Sequence, residues 1–216
     1  MSHSLNEIEA MGKRAARGAG LSWGLAEEAA KGTRWLSAFG FPGSEMLAEL
    51  LTLNDHIPSI DVSPVSLRAE VWHAPARRMS PLIAGASLSD CARRLLDRGT
   101  ITMENVSLPL LAVPFTGWAA LRLGVPVAAE WDGARIATDG KQICVRGDAE
   151  AFRANHANRL VFSAPAEMTG RREPVLRATP SDESWDKLGA FAHRTFAPAT
   201  EESRLRGAGA GLNDND

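Results

Sequence analysis

Residues 125–146 read Val125-Pro-Val-Ala-Ala-Glu-Trp-Asp-Gly-Ala-Arg-Ile-Ala-Thr-Asp-Gly-Lys-Gln-Ile-Cys-Val-Arg146. Three short apolar-rich runs, Val125–Trp131, Ala134–Thr138 and Lys141–Arg146, are punctuated by Asp132-Gly133 and Asp139-Gly140. Asp-Gly pairs readily take the positive φ that tight turns between twisted strands require. The pattern therefore predicts a three-stranded antiparallel meander. Alternation along the last strand turns Ile143 and Val145 toward the core and Gln142, Cys144 and Arg146 the other way. Cys144 is then the more exposed of the two cysteines.

Outward from the meander, Leu108–Phe115 is an apolar run of buried-strand length, and Pro81–Gly85 reads as a further strand. Ser87-Leu-Ser-Asp90 resembles a helix start, with the helix running to Gly99 and burying Leu88, Cys91 and Leu95. Residues 54–80 form an irregular connection broken by Pro58, Pro64 and Pro75, with a strand at Leu67–Trp72. It carries His56, His73, Arg77 and Arg78. Connections of this length are often functional. After the meander, Asp148 caps a helix through His156, Leu160–Ser163 is a strand, and 166–180 is polar. Ser181 opens a last helix with Asp182 and Glu183 in its first turn. Trp185, Leu188, Ala192 and Phe196 form its stripe, His193 lies off it, and Pro198 breaks it.

The first fifty-odd residues are helical. Ser4-Leu-Asn-Glu7 is a capping box, and Leu5, Ile8, Met11 and Ala15 share a face as far as Gly18 and Gly20. Ser22 caps a second helix with Leu25, Ala29, Gly32, Leu36 and Phe39 as its stripe; a third starts at Ser44. The expected class is α+β: an N-terminal helical segment, a central mixed or antiparallel sheet with the Asp-Gly meander, flanking helices, a C-terminal helix and a Gly-rich tail. At 216 residues this is expected as a single domain. It divides into helical segment 1–53, connection 54–80, α+β body 81–196 and tail 197–216.

The totals exclude several classes. A net charge of −2 argues against bulk electrostatic binding of nucleic acid. Cys91 and Cys144 are too few for a disulfide framework or a zinc site, and no other metal motif is present. Glu7 and Glu9 stand where a secretory signal would be apolar, and no apolar run reaches membrane-spanning length. A cytoplasmic protein without membrane segments is expected. No HExxH, CxxC, Walker, GxSxG or dinucleotide-binding pattern names a reaction or a cofactor.

Two stretches remain as candidate sites for a small anionic or zwitterionic metabolite. In the tail, Gly207, Gly209 and Gly211 permit close backbone approach. Arg204 and Arg206 precede them as counter-charges, and Asp214 follows. This tail would close over a pocket. The other stretch is Thr116-Gly117, expected at the N-terminus of a helix Ala119–Leu123, where backbone N–H groups favour an anion. His73 and Asp214 are the candidate acid–base groups. The alternative is a non-catalytic accessory subunit or homo-oligomer whose tail docks on a neighbouring chain, with Asp216 against Arg171 or Arg172.

Phe191–Phe196, then Pro198, Thr200, Ser203-Arg204, Gly207-Ala-Gly-Ala-Gly211 and Asp214-Asn-Asp216, resemble an uncharacterised bacterial family, domain of unknown function 3726. Leu5–Ala16, Gly20-Leu-Ser-Trp-Gly24 and Glu27-Glu-Ala-Ala30 are similar to that family too. The resemblance implies that the tail is a family feature, and it carries over no catalytic residue. The two-helix opening is remotely similar to the first segment of malate/L-lactate dehydrogenases of the non-Rossmann type, without their catalytic part.

Overall fold

The computed structural model describes residues 1–196. A two-residue strand, β1 (His3–Ser4), leads into α1 (Leu5–Gly18), α2 (Trp23–Ala38) and α3 (Gly43–Leu53). The capping box forms: Glu7 N–H donates to Ser4 Oγ, and Ser4 N–H donates to the Glu7 carboxylate. Ser22 caps α2 through Leu25 N–H. Ile8 and Ala15, Ala29 and Leu36, and Leu47 and Leu50 are the buried apolar positions where the three helices pack. The spacing of these residues at three and four places is what makes each segment helical in this context.

The chain continues through β2 (Val71–Trp72), α4 (Pro81–Asp90), α5 (Arg93–Arg98), β3 (Thr100–Ser107) and α6 (Val113–Leu123). Then come β4 (Val127–Trp131), β5 (Ala134–Thr138), β6 (Ile143–Gly147), β7 (His156–Ser163), β8 (Arg177–Ala178) and α7 (Asp182–His193). Six strands make a mixed sheet in the order β2-β3-β7-β4-β5-β6, parallel only between β2 and β3. A two-stranded sheet joins β1 to β8. The architecture is α+β. The meander is present, with β4–β5–β6 antiparallel and positive φ at Gly133 and Gly140. At the second turn, Asp139 Oδ1 accepts from the N–H groups of Lys141 (2.8 Å) and Gln142 (2.7 Å).

One face of the sheet packs against the helices through Val127, Ala129, Ile136, Ile143, Leu160 and Phe162. On β3 the inward residues shift parity, with Ile101 and Met103 before Asn105 and Val106 after it. Asn105 has φ 55°, a left-handed conformation that Asn tolerates. This reversal keeps both halves of the strand facing one core.

Several local expectations change. The run Leu108–Phe115 is buried, yet it is not a strand: it forms a 3-10 turn over Pro109–Ala112 and then the start of α6. Pro109 and Pro114 each sit in a first turn, where a missing N–H costs nothing, and the sheet strand is the preceding Thr100–Ser107. Pro81–Gly85 is likewise the first half of α4, not a strand, with Pro81 opening the helix. Ser87–Asp90 ends that helix rather than starting one. Strand β2 is limited to Val71–Trp72, and instead of capping a helix Asp148 accepts from Ala151 N–H at a short 3-10 turn, Ala151–Arg153. Cys144 points away from the main core as expected but is only 4% exposed. Ala166 and Met168 cover that face, and the thiol meets the Gly170 carbonyl. Phe196 is exposed, and Phe191 takes its place in the buried stripe of α7.

The helix α7 closes the molecule by packing on α1 and α3. Gly18 is the close-approach point, where an added Cβ would overlap the carbonyl of Phe191. Farther along, Arg194 donates two hydrogen bonds to Asp55, at 2.8 and 2.9 Å, tying the end of α7 to the segment after α3. Those hydrogen bonds hold the Asp55 carboxyl below the usual carboxylate range, with partial burial opposing them.

Gly18→Ala is expected to cost about 1–3 kcal/mol through overpacking, read as a lower urea midpoint; an unchanged midpoint would show that the two backbones do not touch. A carboxyl with a depressed folded pKa contributes stability above its unfolded value of about 3.9 and loses it as pH falls through the folded value. The difference in urea midpoint between wild type and Asp55→Asn should therefore be level near neutrality and shrink below about pH 4. A difference that stays level into strong acid would refute the pairing.

Candidate functional site

A cleft of about 430 Å³ opens where the α1–α2 turn, the end of α3, the following loop and the start of α4 converge. Each wall residue is there for a local reason. The turn at Gly20, φ 89°, reverses the chain and brings Leu21 and Leu25 beside the end of α1. Leu50 and Leu51 come from the buried face of α3, and Leu82 and Ile83 from the first turn of α4. Arg17 donates to the Leu21 carbonyl and so holds the turn.

The polar groups collect at one side. Asn54, Asp55 and His56 follow α3 directly, and Arg194 arrives from the end of α7. Asn54 N–H closes the helix on the Leu50 carbonyl (3.0 Å), while its side-chain Oδ1 is buried without a hydrogen-bond partner. An acceptor in that state carries an unrecovered desolvation cost of about 1–3 kcal/mol. His56 takes φ 60°, and its ring is 87% exposed, with Nε2 3.7 Å from Asp55 Oδ2.

Ser80 stands at the N-cap of α4 and is 4% exposed, yet it makes no capping hydrogen bond, and Pro81 follows it. No side chain therefore serves the orphan N–H groups of this helix start, whose residues Leu82 and Ile83 line the cleft. The cleft thus has an apolar body, one buried acceptor and an uncapped positive helix end. That combination suits a ligand with an apolar part, a donor group and an anionic group. Asp55 is held in its ionised form by Arg194, so it is arranged as a structural anion rather than as a proton donor.

The anticipated site residues fall elsewhere. Thr116 and Gly117 are in the second turn of α6, where N–H groups already serve the helix ladder, so they form no helix N-terminus. Thr116 is wholly buried with an unpartnered hydroxyl, and a Cβ added at Gly117 would lie in ordinary contact, 3.7 Å, with the Cα of Gly140 in the meander turn. Arg204, Arg206, Gly207, Gly209, Gly211 and Asp214 lie outside the described residues, as do Pro198 and Asp216. His73 is exposed and is not part of the cleft wall. Sequence reading marked the 54–80 connection and His56, but missed Asn54, Asp55, Ser80 and Arg194. The usable signal was a helix-opening Ser80-Pro81 pair beside that proline-broken connection.

None of the described helices is long and apolar enough to cross a membrane. No curated protein matches the sequence. Among solved structures, malate dehydrogenase from Entamoeba histolytica aligns with a TM-score of 0.42 and 10% identity, over 70% of this chain and 47% of that one. The chain spans about half the length of that protein, and a likeness at this level carries no argument about function. Residues 3–80, which contain the helical opening and most of the cleft wall but not the closing motif, match the family model described as "Protein of unknown function (DUF3726)".

Proposed function

We propose that this protein binds a small anionic or zwitterionic metabolite in the cleft between α1, α3 and α4. The observation that carries the reading is the pairing of unmet groups on one apolar cavity: the buried Asn54 Oδ1 and the uncapped start of α4 at Ser80. An anionic group would meet the N–H groups of Leu82 and Ile83, and a donor such as an ammonium would meet Asn54. The apolar part would lie on Leu25, Leu50 and Leu51. In this reading the tail would add the closing element. Arg194 is in the cleft wall, and Arg204 and Arg206 follow ten and twelve residues later. At up to about 3.3–3.6 Å per extended residue they are within reach of the mouth. There Arg204 and Arg206 would supply charge, Gly207, Gly209 and Gly211 close backbone approach, and Asp214 a contact for the donor end.

The test is a thermal-shift screen of small carboxylates and amino acids bearing apolar side chains. A ligand at a hundred times its Kd stabilises by about 2.7 kcal/mol, equivalent to roughly 5–10 °C for a chain of this size. Such shifts are expected in wild type, smaller in Arg204→Ala and Arg206→Ala, and lost in Ile83→Trp, which fills the cleft. No shift across the panel, or shifts that survive Ile83→Trp, would remove this reading.

One observation favours a second reading, an accessory subunit that docks through this face. Ile60 and Val65, from the loop that forms the cleft rim, are 73% and 59% exposed. Light scattering on the full chain separates the two: a dimeric mass that Ile60→Asp returns to monomer supports docking, and a monomeric mass at high concentration discards it.

A further inference from the structure

A second concavity lies at the other end of α3, and its chemistry is different. This helix begins at Gly43 behind Pro42, which offers no side-chain acceptor to the orphan N–H groups. Ser44, in the first turn, is 2% exposed, and its hydroxyl is buried without a hydrogen-bond partner. It lines a depression of about 190 Å³ together with Arg153 and Arg177. A neighbouring depression of about 250 Å³ shares Gly40, Phe41, Pro42 and Arg153 and extends to Arg172. Arg153 and Arg177 therefore share the depression at this uncapped helix start with Ser44, and Arg172 lies on the adjoining one.

The arginines are positioned without a direct ion pair, although the Glu7 carboxyl lies near enough to Arg177 to feel its charge. Arg172 lies over the Phe41 ring, 4.5 Å from its centroid, and its backbone N–H is fixed on the Ile143 carbonyl at 3.0 Å. Arg177 gives Nε and Nη2 to Ser2, leaving Nη1. Among the described residues no carboxylate lies within salt-bridge distance of Arg153, Arg172 or Arg177, whereas the adjacent Arg171 pairs with Glu173 at 2.9 Å. Glu45 is the acid in the lining, and its Oε1 is engaged by Ser181 N–H at 3.0 Å, at the start of α7.

We propose that this corner is a binding site for the phosphate group of a small molecule, separate from the cleft and independent of what the cleft binds. The first-turn N–H groups of α3 and the Ser44 hydroxyl would hold oxygens from the inside, and the arginines would close from the outer side. Donors converging from several directions match a tetrahedral dianion better than a planar carboxylate, and forked guanidinium groups are suited to it.

The experiment is a titration of the full-length, ¹⁵N-labelled protein with inorganic phosphate, the ionic strength being held constant with chloride. Saturable amide shifts are expected at Gly40, Ser44 and Glu45. Affinity should fall at least tenfold in Arg153→Gln, an exposed position where folding is not at stake, and in Arg172→Gln. Ser44→Ala, which leaves the charge unchanged, should weaken binding severalfold, and Arg171→Gln should bind as wild type. Phosphate affinity unchanged in Arg153→Gln would overturn the proposal, as would equal shifts with chloride alone. Shifts centred on His56 and Ile83 would place the anion in the cleft and overturn it as well.

Discussion

The backbone contact between Gly18 of α1 and Phe191 of α7 is the constraint on which the cleft depends. Two helices can approach this closely only where one of them lacks a side chain, and that approach sets where α7 ends. Arg194 then falls within reach of Asp55, and the segment leaving α3 is held against the end of α7. The start of α7 is anchored independently. Ser181 caps it, and Trp185 stacks on His3 with ring centroids 3.9 Å apart. The pairing of β1 with β8 brings the start of the chain to the segment that leads into α7.

The sheet supplies a rigid floor for these helices. Its helix-facing side is filled by apolar residues such as Val127, Ile136, Leu160 and Phe162, while the other side carries Ala128, Ala137 and Cys144, small enough for Ala166 and Met168 to pack on them. Helices α4 and α6 pack on each other, and both contact α2, with α6 also resting on β4 and β5, so the helical opening is joined to the sheet through them. Asn105 makes this arrangement possible, because its left-handed turn lets β3 present apolar residues to one core on both sides of the reversal.

Helix starts divide into two kinds. Those of α1, α2 and α7 carry serine caps whose side chains accept from the first turn. Those of α3, α4, α5 and α6 have no side-chain cap, and the starts of α3 and α4 open onto concavities. Beside each lies a buried oxygen without a partner, Asn54 Oδ1 in one case and Ser44 Oγ in the other. Unmet donors and acceptors are rare in folded proteins and mark places where another molecule can complete the set.

The sequence by itself determined the elements whose signals are local. The capping box at Ser4 and Glu7, the Ser22 and Ser181 caps, and the Asp-Gly meander need only neighbouring residues, and they appear where the residues place them. The α+β class followed from these. Tertiary structure decided the fate of Leu108–Phe115 and Pro81–Gly85, because an apolar run buried on all sides satisfies a strand and a core helix equally. It also decided the candidate sites. Asp55 and Arg194 are 139 residues apart in the chain, and Ser44 lies more than a hundred residues from Arg153 and Arg177. No periodicity records such meetings, since they arise only when helix packing removes the water between distant segments.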